Sequence, residues 1–159
     1  MQVWHAVDAF LAPLVAEDEV LRDANRATEA AGLPAIQVSA PQGRLLTLLA
    51  QVLGARRALE VGTLGGYSTI WLARGLTGPD RHVTTIEVDP RHAEVARANL
   101  ARAGLSVEAY PPSLVKRSIV GKGQADKEQV SRIVGVILGL RERPGVDATD
   151  ALAVAIRAI

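Results

Sequence analysis

Two acids and three glycines crowd into one short stretch of the 159-residue chain: Glu60, Gly62, Gly65, Gly66 and Glu87. Glycine lacks a Cβ, so the backbone can turn tightly there, and a ligand can approach the free N–H groups that open a following helix. An acid at the end of the next apolar run stands where a nucleotide ribose is commonly held. The chemistry these residues could do is therefore binding of a nucleotide-like ligand in a crevice. The spacing is Gly62-x-x-Gly65-Gly66 rather than G-x-G-x-x-G, so a plain strand-to-helix turn stands beside the ligand reading. A second pair of acids, Asp147 and Asp150, lies near the end of the chain. By position Asp147 caps the last helix and Asp150 sits in its first turn. His5, His82 and His92 are scattered and read as surface or capping residues.

The first group needs a strand, a helix and a second strand to position it. Ala58-Leu59-Glu60-Val61 is a short apolar run with β-branching, the glycines follow, and Val83 to Val88 reads as the second strand. A parallel crossover is right-handed, which brings both carboxyl ends to one edge of the sheet. Asp89 then caps a helix with Pro90 in its first turn, running to about Ala103 before Gly104. Ser106 to Tyr110 reads as a third strand, stopped by Pro111-Pro112. Upstream, residues 3 to 12 and 17 to 31 read as helices forming a lid. Leu33 to Pro41 is extended because of its two prolines, and a helix follows from about Gln42 to Leu53. Downstream, Val130, Ile133, Val134, Ile137 and Leu138 mark an amphipathic helix. The fold class is α/β: a Rossmann-like three-layer half with several helices and a short, mostly parallel sheet of about three strands.

LEVGTLGGYSTIWLARGL, followed by VTTIEVDPRHAEVARANLARAGL, resembles the S-adenosylmethionine-dependent O-methyltransferases of the catechol and caffeoyl-CoA type. The likeness is dense over residues 30 to 105, and the methyltransferase-like segment is placed at 1–108. It implies that Gly62 and Gly66 let the backbone pass close to S-adenosylmethionine, that Ser68 binds the cofactor carboxylate, and that Glu87 accepts from the ribose hydroxyls. Glu60 would orient the methionine ammonium group, and the backbone near Val38 would contact the methionine end. After Tyr110 the likeness stops, where that family continues into the strands that supply the metal carboxylates and the catalytic base.

Residues 109–159 resemble instead the carboxyl-terminal third of RuvC-type Holliday-junction resolvases, from the VK and G-x-G-x-A-x-K stretches to the closing D-A-x-D-A-L-A helix. That family uses four acids for two metal ions, and the resemblance carries over only the last two, at Asp147 and Asp150. The first two places are taken by the strands bearing Glu60 and Glu87, so a four-carboxylate cluster is the enzymatic alternative to helix capping. Two-ion chemistry needs ions about 3.5–4 Å apart, which an unselected junction argues against, and a divalent metal is not expected. Lys116, Lys122 and Lys127 form a modest basic run.

At this length one domain is expected, spanning 1–159. The balance of 18 basic and 17 acidic residues gives a net charge of +1, which argues against nucleic acid as a partner, as does an aromatic content of only 3%. There are no cysteines, no apolar run long enough to span a membrane, and no basic start to Met1-Gln2-Val3-Trp4-His5, so a soluble, cytoplasmic protein is expected. The two likenesses meet within one strand, and the chain reads as a constructed chimera. It would keep part of a crevice that binds S-adenosylmethionine weakly, without native catalysis. The alternatives are a residual O-methyltransferase and a metal-dependent nuclease. Because the segment after the third strand is helical, the first strand would keep a free edge, and a homodimer is expected.

Overall fold

Asp18, Ser39, Asp89 and Asp126 each start a helix by accepting from a backbone N–H one turn or less ahead, at Leu21, Gln42, Arg91 and Gln129. These caps satisfy amides that have no partner inside a helix. The structure, a computed structural model, describes residues 3–121, 125–142, 145, 149, 152 and 153. Its helices are α1 Val3–Leu11, α2 Glu19–Ala30, α3 Ala40–Val52, α4 Tyr67–Gly75, α5 Pro90–Arg102, α6 Pro112–Val120 and α7 Lys127–Leu138, with a short 3-10 turn at Ala12–Leu14. Helix α3 begins two residues earlier than the sequence suggests. Pro41 is tolerated in the first turn, and Ser39 and Gln42 cap each other reciprocally. Among the described residues no helix is long and apolar enough to cross a membrane.

Strands β1, Arg57–Val61, and β2, His82–Ile86, pair in parallel, with Glu60 opposite Thr85 and Val61 opposite Ile86. Helix α4 makes the crossover between them. The expected third strand is not formed: Ser106 to Tyr110 makes no ladder, and among the described residues the sheet has two strands. Five residues with alternating apolar side chains favour extension, but a strand exists only where a partner supplies the other half of its hydrogen bonds.

The chain forms two compact units, Met1–Val107 and Glu108–Ile159. In the first unit Leu21 and Ala24 of α2 pack with Tyr67, Ile70 and Trp71 of α4 and Leu100 of α5. Burying each large side chain of this set contributes roughly 1.5–3 kcal/mol. The core thus lies under the start of α4 and holds it in place. Thr47 of α3 adds a buried hydroxyl donating to the Trp71 carbonyl at 2.8 Å. In the second unit Val115 of α6 and Val130 and Val134 of α7 pack with Ala125 and Ala153. The apolar stripe expected on α7 is buried only in part, since Ile137 is 51% and Leu138 41% exposed.

Candidate functional site

The carboxyl ends of β1 and β2 open into a cavity of about 350 Å3 in the first unit. Gly62, Thr63, Leu64 and Gly65 form one wall, and Tyr67 and Ser68 at the start of α4 form the floor. Ile36, Gln37 and Val38 come from the loop before α3, and Thr28, Glu87 and His92 complete it. The extended stretch that the two prolines impose therefore reaches the site, as does α2 through Thr28. Gly62 has φ +89°, and a Cβ built on it would meet nothing within 4 Å. That open space beside backbone is what a ligand could fill, and the cavity lies in the size range of small-molecule sites.

Glu87 is the most heavily bonded side chain of the site. One carboxylate oxygen accepts from Thr63 N at 3.1 Å and Leu64 N at 2.8 Å, and the other accepts from Val88 N at 2.8 Å and Asp89 N at 2.9 Å. Its side chain is only 11% exposed. Burial pushes the carboxyl up, but the N–H groups of Asp89, Leu64, Thr63 and Val88 together outweigh it and hold the group below its ordinary 4.5. Because the folded value lies below the unfolded one, the bonded carboxylate stabilises the fold above pH 4.5, and this contribution is lost as pH falls through the lowered value. The denaturant midpoint should therefore drop between about pH 5 and about pH 3, and the drop should be shallower in Glu87→Gln. Asp89, held low first by the Arg91 N–H, acts in the same direction, so the slope flattens without vanishing. A variant with the parental slope would count against this assignment.

Glu60 lies behind the wall rather than in it. Its carboxylate accepts from Ser68 Oγ at 2.6 Å, from Thr85 Oγ1 at 2.7 Å and from Thr69 Oγ1. The Thr63 hydroxyl joins this cluster through a 2.6 Å bond to Thr85. The Ser68 hydroxyl is thus turned toward Glu60, although Ser68 itself lines the cavity. Gly66, at φ +81°, caps α4 and packs against Leu100 and Ala96 instead of facing the cavity. Of the residues singled out from sequence, Val38, Gly62, Gly65, Ser68 and Glu87 line one cavity, and Glu60 touches it through Ser68. Asp147 and Asp150 lie outside the described residues.

Thr63, Leu64, Tyr67 and Thr85 were not singled out, and His92, read as a surface or capping residue, lines the cavity. Thr85 faces Glu60 across the parallel ladder, a relation that strand register alone can reveal. His92 stands 3.6 Å from Glu87, one helical turn beyond the Asp89 cap. Tyr67 donates to Glu17 Oε1 at 2.5 Å, and burial, followed by that carboxylate, pushes the phenol well above its ordinary value, so it remains a neutral donor.

Residues 13–109 match a family profile described as O-methyltransferase, and residues 84–158 match one described as crossover junction endodeoxyribonuclease RuvC. A catechol O-methyltransferase from Mycobacterium tuberculosis is 59% identical over 101 residues, which is 63% of this chain and 46% of that protein. A crossover junction endodeoxyribonuclease RuvC from Sorangium cellulosum is 50% identical over 62 residues, 39% of this chain and 35% of that protein. The fold is similar to that of an O-methyltransferase from Bacillus cereus solved in complex with SAH, at TM-score 0.64 and 38% identity, covering 89% of this chain and 70% of the other. The chain spans about half the length of the catechol O-methyltransferases it matches. The two matched regions overlap at residues 84–109, and the boundary after Val107 falls inside that overlap.

Proposed function

We propose, for a chain that belongs through residues 13–109 to the O-methyltransferase family, that it binds S-adenosylmethionine weakly in the cavity of its first unit and transfers no methyl group by itself. The observation that carries this reading is the wall of glycine-turn backbone facing Glu87 at the ends of two parallel strands, in a fold similar to one solved with SAH. Bound there, the cofactor would supply an electrophilic methyl group. Gly62 would admit it to the backbone, Val38 and Ile36 would cover its apolar portions, and Ser68 would offer a polar contact beside the Glu87 wall.

Weak binding and absent turnover are both supported by where the O-methyltransferase profile ends. Beyond residue 109 the chain matches only the RuvC profile, at the place where the resemblance to the methyltransferases would put the strands that complete an acceptor site. Each hydrogen bond lost contributes about 1 kcal/mol, and a few of them lower affinity by one to several decades. Without groups that position and deprotonate an acceptor, proximity and base catalysis are both lost. Titration calorimetry should give a dissociation constant weaker than about 10 μM, with no methylation of a catechol above background. Low-micromolar binding with turnover would overturn the proposal in favour of a residual methyltransferase. Cleavage of a four-way DNA junction with manganese that disappears in Asp150→Asn would favour the nuclease instead. The join is also read as constructed, because a parallel strand, helix, strand unit common to both kinds of fold ends within the overlap.

The proposed assembly is a homodimer through β1. Among the described residues β1 pairs with β2 alone, and Leu59 and Val61 are 47% and 71% exposed. An open strand edge with apolar neighbours is a template for a second strand, and a two-fold axis pairs two identical edges. Light scattering should then report a mass above 16.8 kDa that rises with concentration. A constant monomer mass would exclude the dimer.

A further inference from the structure

We propose that Glu87 is a positioning residue that holds the glycine turn in its binding form, a role that rests on the cofactor reading but differs from contacting the ribose. A carboxylate offers about four lone-pair positions, and four backbone N–H groups fill them here. Two of those donors, Thr63 and Leu64, belong to the turn that walls the cavity. The other two, Val88 and Asp89, belong to the chain entering α5. Glu87 therefore ties the end of β1 to the end of β2 by way of the turn, independently of the ladder.

Leu64 makes the need for such a tie concrete. Its φ is +50°, the left-handed region that a side chain bearing a Cβ rarely adopts, and among the described residues it is the sole non-glycine there. Consecutive amides converging on one anion form a nest, and the anion stabilises the backbone twist that makes them converge. Here the anion is the protein's own carboxylate, 11% exposed and fixed at both oxygens. A ribose hydroxyl can bond this acid only by sharing or displacing an amide. Most of what Glu87 contributes to affinity is then exerted through the turn's shape.

Two measurements decide the matter. Amide hydrogen exchange on the cofactor-free chain should show Thr63 and Leu64 protected, and Glu87→Ala should raise their exchange about tenfold or more, while Ile70 and Leu100 in the core stay protected. Should Glu87→Ala fail to fold, Glu87→Gln serves, because it keeps one acceptor oxygen and should free one pair of amides. Binding of S-adenosylhomocysteine and of its 2′,3′-dideoxy analogue should weaken by the same factor in the variant. Unchanged exchange at Thr63 and Leu64 would overturn the proposal. So would a penalty that disappears with the dideoxy analogue, since that is the mark of a ribose contact. If the parent chain binds neither compound, the cofactor reading fails, and the exchange result still decides whether Glu87 holds the turn.

Discussion

Gly65→Ala is expected to remove most cofactor binding and to cost about 1–3 kcal/mol of stability, the range for forcing an extra methyl group into a packed site. A Cβ at this position would lie 1.9 Å from Thr28 Oγ1 and 3.0 Å from two further Thr28 carbons. Thr28 cannot step aside freely, because it is 4% exposed and its hydroxyl donates to the Ala24 carbonyl at 2.7 Å. The turn must move instead. Its carbonyl is also bonded by Asn99 Nδ2 at 2.7 Å, so the displacement costs a second interaction. The turn amides next to Gly65 would shift with it, and an affinity loss of about tenfold or more follows from about 1.4 kcal/mol of lost contact. Thr28→Ala in the same chain takes away the hydroxyl and one methyl and should restore part of both losses. If Gly65→Ala bound as well as the parent, the turn would not be the cofactor wall.

Trp71→Ala should lower the unfolding free energy by about 3–5 kcal/mol, the usual cost of deleting a buried tryptophan. Trp71 is 3% exposed, meets Tyr67 edge to face with ring centres 6.4 Å apart, and lies where a Cβ on Gly43 would approach to 2.3 Å. It therefore packs α4 on α3 and steadies Tyr67, which lines the cavity. Native stabilities are typically about 5–15 kcal/mol, so this one change removes a large share of the total. Trp71→Phe keeps the ring contacts and should cost less. Denaturant unfolding followed by circular dichroism reads both, and a loss under about 1 kcal/mol for the alanine variant would mean that this core does not carry the unit.

How much of this was readable in advance depended on whether the cause was local. Although the equally local Ser39-x-x-Gln42 cap is hidden by the two prolines of its stretch, which move the apparent start to Gln42, Asp89-Pro90 starts a helix by chemistry within two residues of the cap, so sequence alone suffices there. The glycine turn and its neighbouring acids were legible as a site for the same reason. The partners of those acids were not. Glu87 bonds main-chain N–H groups, which every non-proline residue has, so no residue type announces them. Glu60 and Ser68 find each other through the start of α4, and Thr85 reaches Glu60 through the strand register. Leu64 at positive φ is invisible because its conformation is imposed by the turn around it. Ser106 to Tyr110 had the composition of a strand, yet among the described residues it joins no ladder.

The wall between Gly62 and Gly65, faced by Glu87, is the proposed place of cofactor binding. Titrating 15N-labelled chain with S-adenosylhomocysteine and following each amide tests it most directly. Val38, Gly62, Thr63, Leu64 and Glu87 should shift together along one saturation curve, with a midpoint weaker than about 10 μM. Amides of α6 and α7 should stay where they are. Saturable shifts confined to α6 and α7, or no shift at Gly62 to Leu64 up to about millimolar ligand, would contradict it.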